Sequence, residues 1–172
     1  GKMQDGTDHG YITVNLKGGT IDQNVYGGCM GTRGQARVDQ VRFAVSKNVT
    51  VKLNENVADN ARGCAVKGSI FGCNNVNSSP QGQVEVHIYK TQNALASQIA
   101  GIVSGENAVQ PKVKGRYDVK AVYGGGNMAA YLPKGPNATD DDYDGQNTTF
   151  STKVIIDGCD RTSIQQVYGG GN

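Results

Sequence analysis

Asp140, Asp142, Asp144 and Gly145 fall in the spacing D-x-D-x-D-G, which suits a hard cation. Alternate carboxylates converge on one centre, and the glycine lets the chain turn sharply around it. The pattern breaks at its twelfth position, where Ser151 replaces the bidentate glutamate, so Asn147 or a backbone carbonyl has to complete the about six to eight oxygen ligands of calcium. The bland expectation for the same run is a solvated acidic loop. Histidine is scarce, with only His9 and His87, and neither sits in a motif that frames a nucleophile. His87 is expected as an ordinary surface histidine. Glu85, Asp118 and Asp157 are carboxylates available for acid-base chemistry on a polysaccharide, but spacing along the chain does not fix their mutual geometry. The expectation is therefore that no residue is catalytic, that calcium at Asp140, Asp142 and Asp144 is the one cofactor to test for, and that the other charges solvate outer faces.

The four cysteines, at 29, 64, 73 and 159, have no C-x-x-C spacing and no nearby histidine pair, which argues against structural zinc. Three readings stand side by side: a Cys29–Cys73 pair, a Cys64–Cys73 pair closing a short loop, and small buried thiols.

The elements that position these residues are organised around a repeat. Val122-Tyr123-Gly124-Gly125-Gly126-Asn127 recurs letter for letter as Val167-Tyr168-Gly169-Gly170-Gly171-Asn172. Val25-Tyr26-Gly27-Gly28-Cys29 and Ile70-Phe71-Gly72-Cys73-Asn74-Asn75 are looser copies. A β-branched residue followed by an aromatic favours extended backbone, and glycines that reach positive φ then turn the chain. Gly27, Gly28, Gly72, Gly124, Gly125, Gly169 and Gly170 are thus expected as structural turns. No copy precedes Gly-Lys-Ser/Thr or shows G-x-G-x-x-G, so a phosphate cradle is set aside.

Each copy is preceded by an extended segment, alternating in Ile12-Thr13-Val14-Asn15-Leu16, Val49 to Leu53 and Val84 to Ile88, with Lys153 to Gly158 opening the fourth unit. Such a strand cannot bury its apolar face alone, which points to coils that cover one another, with Ile12, Val49, Val84 and Val154 in one inward column and the glycine turns in another. An antiparallel sandwich of hairpins is the competing architecture. Val41, Phe43 and Val45 suggest a bridging strand. Asn93 to Ser104 carries a helical stripe and is expected as one short inserted helix. Residues 1–9 read as a flexible lead-in, and 10–172 as a single domain with insertions near 90–112 and 128–149. The fold class is all-β, a right-handed parallel β-helix or solenoid of about four irregular units.

Composition agrees. Valine (19) and isoleucine (9) far outnumber leucine (4), and there is no tryptophan, which suits a thin strand core. The 17 basic and 15 acidic residues are interspersed, so neither nucleic acid nor an anionic membrane surface is implied, and no apolar run is long enough to span a bilayer. Gly1 without a methionine and a repeat ending on Asn172 lead to the expectation of a piece from a longer repeat protein.

The Thr-Val-x-Leu type strands together with Val-Tyr-Gly-Gly-Gly-Asn, above all Lys153 through Asn172, resemble the glycine-rich β-helical repeats of surface-exposed or secreted proteins of gut Bacteroidales, and more loosely the passenger repeats of autotransporter adhesins. The resemblance implies a cell-surface or secreted parallel β-helix and brings no catalytic residues with it. The function expected is a non-enzymatic stalk or adhesin-like segment that presents loops to host or microbial glycans or proteins. The alternative is a carbohydrate-active, polysaccharide-processing β-helix. If the chain is cut from a longer array, its last coil exposes unpaired edges and should self-associate end to end unless a helix caps it.

Overall fold

A computed structural model describes residues 10–31, 46–58, 61, 63–91, 117–133, 149–158 and 161–172. The strands are β1 (Ile12–Leu16), β2 (Thr20–Ile21), β3 (Val25–Tyr26), β4 (Val49–Leu53), β5 (Ala65–Val66), β6 (Ser69–Phe71), β7 (Val84–Ile88), β8 (Val119–Tyr123), β9 (Thr152–Ile156) and β10 (Ile164–Tyr168). Every pairing among the described strands is parallel. That rules out the antiparallel sandwich. The long strands form one sheet in the order β1-β4-β7-β9, the motif strands form a second in the order β10-β8-β6-β3, and β2 pairs with β5 in a small third sheet. Units adjacent in sequence are therefore adjacent in both large sheets. They are called tiers here: tier 1 is β1 to β3, tier 2 β4 to β6, tier 3 β7 and β8, and tier 4 β9 and β10. The expected helix at 93–104, the bridging strand at 41–45, the lead-in at 1–9, Cys159 and the acidic run Asp140, Asp142 and Asp144 lie outside the described residues.

Alternation does what the strand sequences demand. Val49, Val51 and Leu53 of β4 and Val84, Val86 and Ile88 of β7 point inward and are wholly buried. They meet Val25, Ile70, Val119 and Val122 from the motif strands, with Val66, Cys64 and Cys73 between. Burying each such aliphatic side chain stabilises the fold by roughly 1.5–3 kcal/mol before chain entropy is counted. The register corrects one expected column. Ile12, Val49 and Val84 align with Thr152, while Val154 continues the column of Val14, Val51 and Val86. The fourth strand begins one residue earlier than Lys153, and a threonine opens it. Its hydroxyl donates to the Gly169 carbonyl at 2.6 Å, which lets a polar residue occupy an apolar column at the end of the sheet.

The glycines of the motif stack, as expected, but for a different reason from the one the sequence suggested. None of Gly27, Gly28, Gly72, Gly124, Gly125, Gly169 and Gly170 has positive φ. What Gly27, Gly28, Gly72, Gly124 and Gly125 lack is room, while Gly169 and Gly170 face open space. A Cβ on Gly27 would lie 2.5 Å from the Gly72 carbonyl oxygen, one on Gly72 2.4 Å from that of Gly124, and one on Gly124 2.3 Å from that of Gly169. The backbone amides of each turn donate to the next tier: Gly27 to Phe71, Gly72 to Tyr123, and Gly124 to Tyr168. Glycine here permits close approach of backbones, and the turn follows.

Side-chain amides complete the joints between tiers. Asn24 Oδ1 accepts from the Ser69 amide at 2.8 Å, Asn48 Oδ1 from Gln83 at 3.0 Å and Asn74 Oδ1 from Cys29 at 2.9 Å. Asn127 Nδ2 donates to Asn75 Oδ1, and Asn172 Nδ2 in turn to Asn127 Oδ1. On the opposite side of the motif strands the aromatics Tyr26, Phe71, Tyr123 and Tyr168 form a continuous ladder, with centroids 5.1, 4.6 and 4.9 Å apart and nearly parallel rings.

Candidate functional site

The outer face of the long-strand sheet gathers most of the polar chemistry among the described residues. Parallel register places Thr13, Thr50, Glu85 and Lys153 in one outward column and Asn15, Lys52, His87 and Ile155 in the next. Tyr89 and Asp157 follow directly after β7 and β9 and extend the same face. His87 Nε2 lies 2.6 Å from Asp157 Oδ2, and its Nδ1 is 3.9 Å from Glu85 Oε1. Lys153 Nζ stands 4.0 Å from the other Glu85 oxygen. The Tyr89 ring stacks on the imidazole at 3.8 Å, and the His87 side chain is left only 15% exposed.

Tyr89 links this group to a second one. Its hydroxyl donates to Glu55 Oε1 at 2.9 Å, and Lys52 Nζ donates to the same oxygen at 2.6 Å. The Lys52 hydrogen bond, with that of Tyr89 behind it, holds the Glu55 carboxyl below its ordinary range. The bond to Glu55 raises Lys52, and burial followed by the bond to Glu55 raises the Tyr89 phenol. Glu55 is thus a fixed anion, and Tyr89 keeps its proton and spends it on that carboxylate.

A histidine whose Nε2–H is held by a carboxylate has its ring oriented and its Nδ1 directed elsewhere, here toward Glu85. That is an arrangement able to move a proton. Among the described residues no hydroxyl or thiol hydrogen-bonds to His87. Of the three carboxylates singled out in the sequence, Glu85 and Asp157 flank His87. Asp118 is engaged elsewhere: it accepts from Thr91 Oγ1 at 2.6 Å, and burial raises its carboxyl above the usual range. Reading His87 as plain surface missed its partner because Asp157 is 70 residues away. The alternation Glu85, His87, Tyr89 was the available signal, since i, i+2 and i+4 of a strand share a face.

A cleft lies elsewhere. It measures about 410 Å³ and sits beside the tier 4 edge, lined by Gly126, Ala129, Tyr131, Thr152, Gly170 and Asn172 among others. Tyr131 is its one titratable group; burial raises it, and its hydroxyl donates to the Gly82 carbonyl at 2.8 Å. This cleft and the His87 cluster are separate among the described residues. Among the described residues no group of three or more His, Cys, Asp or Glu is arranged to hold a metal. Cys29, Cys64 and Cys73 are all free thiols, so neither expected pairing forms. Burial pushes the Cys73 thiol up to about 12, and its Sγ rests 3.6 Å from the Gly124 carbonyl. The chain matches no family model, no curated protein and no solved structure.

Proposed function

We propose that the chain is a non-enzymatic display module: a right-handed parallel β-solenoid of a cell-surface or secreted, adhesin-like protein that holds its long connections out to host or microbial glycans or proteins. The observation that carries this reading is the use made of the polar side chains. Asn24, Asn48 and Asn74 bond the backbone of a neighbouring tier, and Asn127 and Asn172 bond one another across tiers. Side chains committed to joints give a rigid rod and leave recognition to the segments between strands, chiefly 92–116 between β7 and β8 and 134–148 between β8 and β9. Any calcium held by Asp140, Asp142 and Asp144 would act in one of those segments.

The His87, Asp157 and Glu85 cluster favours a second reading, a polysaccharide-processing solenoid using its outer face. A glycan array, followed by incubation of each bound glycan with the protein, separates the two. The display reading predicts binding with no change in the glycan. Release of a shorter product, abolished in His87→Gln and Asp157→Asn, overturns it in favour of the enzyme.

A further inference from the structure

Thr91 and Asp118 stand on either side of the 92–116 connection and touch each other, Thr91 Oγ1 lying 2.6 Å from Asp118 Oδ2. Both also hold the segment that leads into β10. The Thr91 amide donates to the Arg161 carbonyl at 3.0 Å, and the amides of Asp118 and Val119 donate to the Ser163 carbonyl at 3.1 and 3.2 Å. The Thr91 hydroxyl has two more neighbours there: the Ser163 amide donates to it at 2.9 Å, and the Arg161 carbonyl oxygen is 3.2 Å away. A hydroxyl has one proton to give and two lone pairs to receive. With Asp118 ionised, that single proton faces two acceptors, the carboxylate and the Arg161 carbonyl, and one contact goes unmade. With Asp118 protonated, its O–H donates to Thr91 Oγ1, the Ser163 amide fills the second lone pair, and the hydroxyl proton turns to Arg161. All three contacts are then hydrogen bonds at once.

We infer that Thr91 and Asp118 form a proton-operated clasp between tiers 3 and 4: uptake of one proton by Asp118 reverses their mutual hydrogen bond and ties the Thr91 hydroxyl to the Arg161 carbonyl. The proton comes from solvent, the pair loses its negative charge, and no covalent bond changes. The surroundings favour uptake. Asp118 is half-buried, and burial raises its carboxyl above the ordinary 3.8 against the opposing pull of the Thr91 bond. The titratable groups on the described segments around it are Tyr117, Lys90, Lys120 and Arg161. Lys90 turns its ammonium to the carbonyls of Val57 and Ala58, Lys120 is exposed, and none of the four is among the causes of the shift. The added bond is therefore fully present below 3.8 and is lost as pH rises through the raised folded value. It sets how firmly the base of the 92–116 connection is held, whatever that connection binds, and so goes beyond the display reading.

Carbon-detected NMR titration of the Asp118 carboxyl in the intact chain, from about pH 7 to about pH 3.5, tests this together with amide hydrogen exchange over the same range. After correction for intrinsic exchange, protection of the Thr91 and Ser163 amides should rise about 3- to 10-fold in step with the Asp118 titration, the change expected of one added hydrogen bond. Asp118→Asn, whose amide donates permanently to Thr91 Oγ1, should show the acid level of protection at neutral pH and no further gain. Thr91→Ser keeps the hydroxyl and should keep the gain, whereas Thr91→Val removes the hydroxyl and should lose it. The clasp is overturned by an Asp118 that titrates at or below its ordinary value, by a wild type without the gain, or by a gain that persists in Asp118→Asn or in Thr91→Val.

Discussion

Asn54 shows how much a single side chain carries in this fold. It is buried and has φ of 60°, a left-handed backbone that asparagine tolerates better than alanine. Its Oδ1 accepts from the Cys64 amide at 2.6 Å, and its Nδ2 donates to the carbonyls of Cys64 and of Lys90 in the next tier. Asn54→Ala strands those groups and strains the turn, a loss on the order of 3–5 kcal/mol and a fall in Tm of about 10 °C. Asn54→Gly relieves the strain alone and should melt between the two. Acid stability divides between two carboxyls of opposite sign. The lowered Glu55 stabilises the fold above its ordinary value of 4.5, and that contribution is lost as pH falls through the depressed folded value. The raised Asp118 costs stability when ionised, and the cost shrinks as pH falls below its raised folded value and is gone below the ordinary 3.8. Melting curves between pH 7 and pH 3 should therefore show Glu55→Gln below wild type at neutral pH and converging with it in acid. Asp118→Asn should lie at or above wild type at neutral pH and also converge. Neither role was legible in the sequence, because each depends on partners supplied by another segment.

The elements were more legible than the residues within them. Alternation in Ile12 to Leu16, Val49 to Leu53 and Val84 to Ile88 identified three strands of the first sheet with their faces, and the motif located those of the second. The column expected through Val154 was displaced by two residues because the reading anchored each strand on its first apolar residue, and β9 starts on Thr152. The glycines were recognised as a repeat but attributed to positive φ. Their crowding against the next tier is a property of two elements together and has no trace in either alone. The aromatic ladder is the element-scale counterpart. Phe71 is buried between Tyr26 and Tyr123, while Tyr168 touches one ring and is open on its other side. Phe71→Ala should cost about 3–5 kcal/mol in urea unfolding, and Tyr168→Ala roughly a third of that. Equal losses would show that the ladder is not stacked in this order.

At the scale of the whole molecule, four units adjacent in sequence lie in the same order in two parallel sheets around a thin aliphatic core. The repeat made that order legible. Order in turn brings distant chemistry together, as when equal registers of β7 and β9 set Asp157 beside His87. Tiers joined through backbone and asparagine are the feature on which the proposed display role rests. All of this depends on parallel, in-register stacking, and backbone NOEs in the labelled 18.1 kDa chain measure it directly. The predicted result is interstrand contacts linking Val14 to Val51, Val51 to Val86 and Val86 to Val154, so that each middle strand touches a neighbour on both sides. Antiparallel contacts between strands consecutive in the chain, or a β4 with only one neighbour, would contradict it.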